Sequence, residues 1–354
     1  MKYRIVLLPG DGIGTEVMVE GVKILQAVES QLEEVQFELT ELSAGAAEFL
    51  RCGDPLPKSV FDACLAADAV LLGAMGLPDV RWPDGREIAP QLDLREQLEL
   101  YCGLRPTRLF HPDDSPLKER SPVDIDLAFV REQTEGLFFS RKGQRSAGAE
   151  EARDVLRISR GASERLFRAA FRLARRRRRH VTLVDKANVL PSMVFFREVF
   201  DEVAQEFADV ETERLYVDAT ALYLVQRPET FDVLVTENMF GDILSDLAAG
   251  LVGGMGMAPS ADIGDDCAVF QPAHGSAPDI AGKGIANPVA MILSVAMMLD
   301  WLGESTQHGG RLIERAVTLV LADPNNRTPD MGGSLSTTQL GDALAAAVHD
   351  VSID

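Results

Sequence analysis

Two aspartates, Asp242 and Asp246, follow a short apolar stretch in the segment FDVLVTENMFGDILSD, residues 231–246. The apolar and β-branched residues Phe231–Val235 predict a buried parallel strand, and apolar residues recur at helical spacing after Gly241. The two aspartates therefore stand one helical turn apart, where like charges repel unless a cation lies between them. Mg²⁺ and Mn²⁺ prefer carboxylate oxygens as ligands, so either ion could be that cation. A helix cap at Asp242 with a solvated Asp246 is an open alternative.

Two further charged side chains lie at predicted strand ends. Lys186 closes the apolar part of HVTLVDKANVL, where burial or a neighbouring cation could prepare it to transfer protons at neutral pH. A solvated or ion-paired lysine is the alternative. Asp218 stands at a predicted strand-to-helix junction in RLYVDATALYLV and is a candidate third metal ligand.

Three arginines have the chemistry of a carboxylate-binding site. Arg95 and Arg105 lie in LREQLELYCGLRP, for which we expect helical structure, and Arg131 follows the predicted strand LAFV. A guanidinium group binds a carboxylate through two parallel hydrogen bonds and stays charged at working pH. The arginines therefore predict a substrate with two or three negative charges. Each could instead pair with a nearby acid, as Arg95 could with Glu96 or Glu99.

The surrounding pattern predicts an α/β protein. Strands at Tyr3–Pro9 and Asp68–Met75 alternate with amphipathic helices, as in a parallel sheet, and Pro112–Pro122 and 142–148 are predicted surface loops. The turn GDGIG suggests a Rossmann opening, but its GxGxG spacing and Thr15 fit the dinucleotide fingerprint poorly.

Composition excludes several classes of function. The chain has 354 residues, 46% of them hydrophobic, which suffices for a large core. A net charge of −20 argues against nucleic acid or an anionic membrane as partner, and the basic run Arg175–Arg179 is best explained as a helix end. The four cysteines form no CxxC pair and the N-terminus lacks the pattern of a signal peptide, so we expect a cytoplasmic protein.

Seven motifs follow one another in the order found in the β-decarboxylating dehydrogenases: LPGDGIG, the LR-to-LRP arginine pair, VREQTEG, VDKANVL, YVDA, FGDILSD and HGSAPDIAGKGIANP. From Ile5 to about Gly303 the chain resembles this family, and most of all its 3-isopropylmalate dehydrogenases. The resemblance implies a two-domain α/β fold with mostly parallel sheets, distinct from the Rossmann fold. Residues 1–100 and 253–354 would form the cofactor-side domain and 101–252 the metal and dimerisation domain.

The resemblance also implies roles for the charged residues. The carboxylates of a di- or tricarboxylate substrate would be bound by Arg95, Arg105 and Arg131. The metal, Mg²⁺ or Mn²⁺, would be bound by Asp218, Asp242 and Asp246. Lys186 and Asp218 are the implied catalytic residues, and in the family both reach the site from a second subunit. A homodimer with shared active sites is therefore implied.

The same resemblance places the cofactor on residues 274–288, HGSAPDIAGKGIANP, which composition alone would describe as a loop. Asp279 favours NAD, because a carboxylate accepts hydrogen bonds from both ribose hydroxyls and repels the 2′-phosphate of NADP. The remaining implied cofactor contacts are His274, Gly275, Ser276, Ala277 and Asn287.

The chain departs from the family pattern at the substrate. Phe138, in GLFF, replaces a tyrosine, Gly103 replaces an asparagine, and APQLDLR has Gln91 and Asp93 where isopropylmalate enzymes have leucines. We therefore expect NAD- and metal-dependent oxidation, with decarboxylation, of a malate-type 2-hydroxy acid. A tartrate- or D-malate-type dehydrogenase is one alternative, and a weakly active regulatory or binding paralogue is another.

Overall fold

The computed structural model describes residues 1–143 and 150–352, which form one ten-stranded sheet flanked by helices. The strands are β1 (Lys2–Gly10), β2 (Gln36–Glu41), β3 (Ala69–Ala74), β4 (Cys102–Arg108), β5 (Asp126–Glu132), β6 (His180–Asp185), β7 (Glu211–Tyr216), β8 (Val233–Thr236), β9 (Pro259–Ile263) and β10 (Ala268–Pro272). The helices are α1 (Gly14–Glu29), α2 (Ala46–Cys52), α3 (Lys58–Ala66), α4 (Pro90–Gln97), α5 (Arg160–Arg175), α6 (Pro191–Ala204), α7 (Val217–Gln226), α8 (Asn238–Gly250), α9 (Val289–Leu302), α10 (Glu304–Leu321) and α11 (Thr337–Asp350). Most of the loop predicted at 142–148 lies outside the described residues.

The strands follow the order β2-β1-β3-β10-β9-β4-β5-β8-β6-β7. Among these ten strands, antiparallel pairing is confined to the middle, where β9 pairs with β10 and β4, and β4 pairs with β5. The other neighbouring strands are parallel, so the predicted α/β class with mostly parallel strands is confirmed. Gly103 on β4 pairs with both Asp262 on β9 and Arg131 on β5. Paired residues share one face of a sheet, so these three form a row across its centre.

The apolar core lies on both sides of this antiparallel middle. The largest cluster joins α1 and β1 to α9, α10 and α11, and thus both ends of the chain. A second cluster packs the phenylalanines of α5 and α6, among them Phe167, Phe196 and Phe200, against β6 and β8. The division into domains at residues 100 and 253 stays a prediction. Within the described chain, no helix combines the length and apolar character needed to cross a membrane.

The segment that follows Arg95 corrects one prediction. Helical structure was expected throughout LREQLELYCGLRP, but α4 ends at Gln97 and Cys102–Arg108 is strand β4. Two local features oppose a helix there, since Gly103 has low helix propensity and Pro106 lacks a backbone N–H. Pairing with β5 along the whole of β4, and with β9 at its start, supplies the alternative.

The GDGIG turn packs against the loop between β10 and α9. Gly12 has a φ of 59°, and a Cβ added to it would lie 2.0 Å from the carbonyl oxygen of Ser276. The backbone N–H of Ile13 donates to that same oxygen at 2.8 Å. The Glu16 carboxylate accepts a hydrogen bond from the N–H of Gly284 at 3.2 Å. The turn therefore supports the loop that the sequence assigned to the cofactor.

Asp11, in the same turn, contacts the start of α2 and the segment after β3. Its buried carboxylate accepts hydrogen bonds from the backbone N–H groups of Ala46, Ala47 and Gly76, at 2.7, 2.8 and 2.8 Å. Two of these donors open α2, so Asp11 satisfies a helix N-terminus from outside the helix. This role of the motif was not predicted from the sequence.

We predict that Gly12→Ala lowers the free energy of unfolding by about 2–4 kcal/mol, because it adds a backbone clash to left-handed strain. Gly53→Ala is the matched control, since Gly53 has a φ of 82° and no atom lies within 4 Å of its added Cβ. That control should lose only about 1 kcal/mol. Urea unfolding of both variants measures the difference, and equal losses would contradict the packing role of Gly12.

Candidate active site

Arg131 is the most enclosed of the three arginines. Its side chain is 1% exposed, and Nε and Nη2 both donate to the Asn238 Oδ1 atom, at 3.0 and 2.6 Å. The third nitrogen, Nη1, donates to the carboxylate of Asp242. Asn238 and Asp242 lie one turn apart on α8, so this helix holds the guanidinium group at both edges.

Arg105 approaches the same helix from β4. Its Nη1 atom donates to Ser245 Oγ at 2.8 Å and to Asp246 Oδ1 at 3.2 Å. Its Nη2 atom lies 3.6 Å from Asp242 Oδ1. Asp242 and Asp246 thus face two buried cations, as the spacing argument required, but both of these cations are arginines.

The helix-cap alternative for Asp242 is wrong. Glu237 caps α8, because its side chain accepts a hydrogen bond from the Phe240 N–H at 2.7 Å. Asp242 and Asp246 are instead partly open, with side chains 40% and 52% exposed. Burial raises the pKa of Asp246, and the nearby Arg105 opposes that rise. The two carboxylates can therefore be reached by a ligand from solvent.

Mutual repulsion accompanies the burial of the arginines. Burial is the main cause that lowers the pKa of Arg131 to about 9, and the positive charge of Arg105 is the second. Arg131 therefore stays charged at neutral pH. The pKa of Arg105 is lowered mainly by burial and secondly by the positive charge of Arg95. The three guanidinium groups therefore form one cluster, and an anion placed among them would be strongly attracted.

Arg95 has a partner that the sequence analysis missed. Neither Glu96 nor Glu99 pairs with it. Instead its Nε atom donates to the buried Asp262 Oδ2 at 2.6 Å. Gln271 Nε2 donates to the same oxygen at 2.7 Å, and Gln133 Nε2 donates to the other. The available signal was a carboxylate inside the apolar stretch PSADI.

Lys186 and Asp218 lie apart from this cluster and bind each other. Lys186 Nζ donates to the Asp218 carboxylate, and this bond lowers the pKa of Asp218. Among the residues the structure describes, no group of three or more His, Cys, Asp or Glu side chains is placed to hold a metal ion. Asp218 is therefore not brought together with Asp242 and Asp246 within one chain.

Part of the predicted cofactor loop is open to a ligand. Asp279 and Gly275 are exposed. The His274 Nδ1 atom lies 2.9 Å from the Gly275 carbonyl oxygen, whereas its Nε2 atom is buried and has no partner in the described chain. Burial lowers the pKa of His274, so the neutral ring is favoured.

Other residues of that loop are engaged within the protein. Ser276 Oγ donates to the carbonyl oxygen of Gly76. Asn287 Oδ1 accepts from the Val289 N–H at 3.0 Å, at the start of α9. Ala277 has a positive φ of 38°, which marks a constrained turn. The roles of Ser276, Ala277 and Asn287 in cofactor binding stay predictions.

Comparison with known proteins identifies the architecture. Residues 4–344 match the family model described as isocitrate/isopropylmalate dehydrogenase. A 3-isopropylmalate dehydrogenase of Moorella thermoacetica is 47% identical, with 93% of each chain covered, and that of Bacillus subtilis is 44% identical, with 98% of each covered. The crystal structure of an isocitrate dehydrogenase from Methylococcus capsulatus superposes with a TM-score of 0.88 at 40% identity, covering 98% of this chain and 99% of the other.

The chain belongs to the isocitrate/isopropylmalate dehydrogenase family. It is therefore an enzyme, an oxidoreductase. The resemblance inferred from its motifs is confirmed, and so is the fold class. The assignments of individual site residues stay predictions.

The dehydrogenase has its own arrangement where Gly103 replaces the expected asparagine. A Cβ at Gly103 would lie 2.2 Å from Gln133 Nε2, and its three nearest atoms all belong to Gln133. The amide of Gln133 therefore crosses the space above Gly103 to reach Asp262. The absence of a side chain at Gly103 on β4 therefore makes room for the Gln133 amide, which follows β5.

The second departure from the family pattern, Phe138, lies against the arginine cluster. Its ring centre is 5.1 Å from the Arg131 Cζ atom, as in a cation–π contact. Asp93, in the predicted specificity segment, accepts a hydrogen bond from Arg141 Nη2 at 2.8 Å. The Gln91 Oε1 atom is buried and has no partner within the described residues. The predicted specificity segment is therefore more polar than leucines would make it.

We predict that Gly103→Ala destabilises the enzyme by about 1–3 kcal/mol, because it expels the Gln133 amide from a buried carboxylate. Gln133→Ala removes the same hydrogen bond without a clash. In the double variant the added methyl group no longer meets Gln133, so the two losses should not add. Urea unfolding of the four proteins gives the coupling, and additive losses would show that Gly103 does not accommodate Gln133.

Proposed function

We propose that this dehydrogenase oxidises a malate-type 2-hydroxy acid with NAD and Mg²⁺ or Mn²⁺, and that decarboxylation follows. The proposal rests on the ion pairs that join Arg105 and Arg131 to Asp242 and Asp246. These ion pairs support the proposal, because guanidinium groups able to bind carboxylates lie beside carboxylate oxygens able to bind a hard metal ion. The first candidate is 3-isopropylmalate, the substrate in the names of the Moorella and Bacillus relatives. Tartrate and D-malate are the alternatives, given the polar specificity segment.

The donor set supports a divalent cation. Asp242 and Asp246 offer partly exposed carboxylate oxygens one turn apart, which suits Mg²⁺ or Mn²⁺. We assign the third carboxylate to Asp218 of the partner subunit. When bound, the metal ion would supply Lewis-acid stabilisation of the enolate that loss of CO₂ leaves. Arg105 and Arg131, released from the two aspartates, would then bind the substrate carboxylates.

We assign to Lys186 the removal of the proton from the C2 hydroxyl group. Its bond to Asp218 already fixes the ammonium group at the end of β6. We propose that the pair enters the site of the other subunit. There Lys186 would lose a proton to solvent beside the metal cation, and the neutral amine would accept the hydroxyl proton as hydride leaves C2. NAD would supply the hydride acceptor. The 274–288 loop is the binding place we propose for NAD. Its support is the exposed Asp279 and the buried His274 Nε2 atom, which has no partner among the described residues.

A homodimer is part of the proposal because large apolar side chains are exposed near these residues. Ile243, one of the apolar residues that follow Gly241 at helical spacing, is 58% exposed. Exposed apolar residues on or beside α6, α7 and α8 also include Val189, Val194, Leu222 and Val225. Several large exposed apolar side chains on these helices favour a protein–protein interface. A second copy of the chain is the partner we propose.

We propose a cytoplasmic location, which the cysteines support. Cys52, Cys64, Cys102 and Cys267 are all free thiols, which supports the cytoplasm. The net charge of −20 supports neither nucleic acid nor an anionic membrane as partner.

One observation favours a second candidate function. Phe138 keeps an aromatic ring against Arg131 but has no hydroxyl group to donate a proton. A paralogue that binds the cofactor or a dicarboxylate with little turnover would tolerate this change. The complete set of charged residues favours the enzyme, because a binding protein has no use for Lys186.

The test is NADH formation with 3-isopropylmalate, D-malate and tartrate. We expect turnover with at least one of them, loss of turnover in EDTA, and a strong preference for NAD over NADP. Asp279→Lys should narrow or reverse that preference, since it replaces a ribose-binding carboxylate by a partner for the 2′-phosphate. Equal use of both cofactors by the unaltered enzyme would refute the role of Asp279. Full turnover in EDTA would refute the metal.

Shared active sites predict complementation between inactive subunits. Lys186→Ala and Asp242→Asn should each abolish activity, but a randomly mixed population should recover about a quarter of it, because half of the dimers contain one intact site. Lys186→Ala mixed with Asp218→Asn is the control. Both residues would come from the same subunit, so that mixture should stay inactive. No recovery in the first mixture would place the whole site within one chain.

A further inference from the structure

Asp262 is a buried anion beside the proposed substrate site, and the proposed mechanism gives it no part. It is 1% exposed and lies on β9, in the row that continues through Gly103 to Arg131. Its carboxylate accepts hydrogen bonds from Arg95 Nε at 2.6 Å, from Gln271 Nε2 at 2.7 Å, and from Gln133 Nε2. Three donors therefore enclose the negative charge.

The other carboxylates of the cluster are placed differently. Asp242 and Asp246 lie on a helix surface with side chains 40% and 52% exposed, so they can turn toward a bound cation. Asp262 has no comparable freedom, because leaving its site would strand a buried charge and its donors. Arg95 thus keeps a permanent counter-charge, whereas Arg105 and Arg131 are available to an incoming anion.

The contact also orients Arg95. Asp262 occupies the Nε edge of the guanidinium group. In the described part of the chain, its two Nη atoms make no hydrogen bond, which leaves them for a ligand. The arginine is fixed in direction while its positive charge is offset.

We propose that Asp262 is a specificity-determining residue that limits the substrate to two carboxylates. Once a metal ion has taken Asp242 and Asp246, Arg105 and Arg131 keep their full positive charge for substrate carboxylates, whereas the charge of Arg95 stays offset by Asp262. A third substrate carboxylate would meet an anion that is buried and weakly screened by salt. This inference rests on the proposed function and narrows it. Isopropylmalate has two carboxylates and isocitrate has three, so it decides between the two substrate types in the family's name.

Asp262→Asn tests the proposal, because it removes the charge and keeps the shape. The Gln133 amide can rotate to present its oxygen to the new amide, while the remaining oxygen still accepts from Arg95 and Gln271. Asp266→Asn is the matched control, since Asp266 is an exposed carboxylate on the turn after β9. Both variants change the net charge equally.

The probes are glutarate and tricarballylate, which differ by one carboxylate, measured by calorimetry on the full-length protein with Mg²⁺. We expect Asp262→Asn to raise the affinity ratio of tricarballylate to glutarate at least tenfold, and Asp266→Asn to leave it unchanged. The ratio of kcat/KM for isocitrate to that for D-malate should move in the same direction. The unaltered enzyme should bind glutarate more tightly than tricarballylate, which tests the idea even if the variant fails to fold.

An unchanged ratio in a folded Asp262→Asn protein would overturn the proposal. The proposal would also be overturned if the unaltered enzyme bound tricarballylate more tightly than glutarate, or oxidised isocitrate faster than dicarboxylates. Either result would leave the dehydrogenase function intact. Absence of NADH formation with every substrate would instead refute the proposed function. The calorimetric ratio would still decide the role of Asp262.

Discussion

A guanidinium group removed from water needs an anion or several oxygen acceptors within reach, because the cost of burying an unpaired charge exceeds the stability of a typical domain. The enzyme gathers three such groups, and each is paired within the chain: Arg131 with Asn238 and Asp242, Arg105 with Ser245 and Asp246, and Arg95 with Asp262. The partners of Arg105 and Arg131 lie on one helix, α8. The site therefore holds counter-charges that a metal ion and a substrate would take over.

The antiparallel middle of the sheet makes this gathering possible. In a wholly parallel sheet the functional side chains collect at one edge, beyond the carboxyl ends of the strands. Here β9, β4 and β5 run alternately, so residues within the strands align across the sheet, and Asp262, Gly103 and Arg131 form a row. A glycine in the centre of that row lets an amide cross it. The glycine turn after β1 uses the same device, since Gly12 lies directly against the Ser276 carbonyl oxygen.

Local pattern predicted much of this and failed at identifiable points. Spacing alone placed Asp242 and Asp246 on one helix face, and the apolar run before Lys186 marked β6 correctly. The strand β4 was missed because its identity depends on pairing with β5 and β9, which no local pattern contains. Asp262 was missed for a related reason. Arg95 lies 167 residues from Asp262 in the sequence, and Gln133 lies 129 residues from it. Only the folded sheet therefore shows that this carboxylate contacts the arginine cluster.

Phe138 shows that one position can carry two separable functions. The aromatic face of the ring covers the Arg131 guanidinium group, 5.1 Å from its Cζ atom, and shields the cluster from water. A tyrosine would make the same contact and add a proton donor at the ring's edge. Phenylalanine retains the electrostatic contribution to burying Arg131 and has no hydroxyl proton to donate. The ring therefore contributes to the stability of the charge cluster, whereas a hydroxyl group at this position would act only in proton transfer.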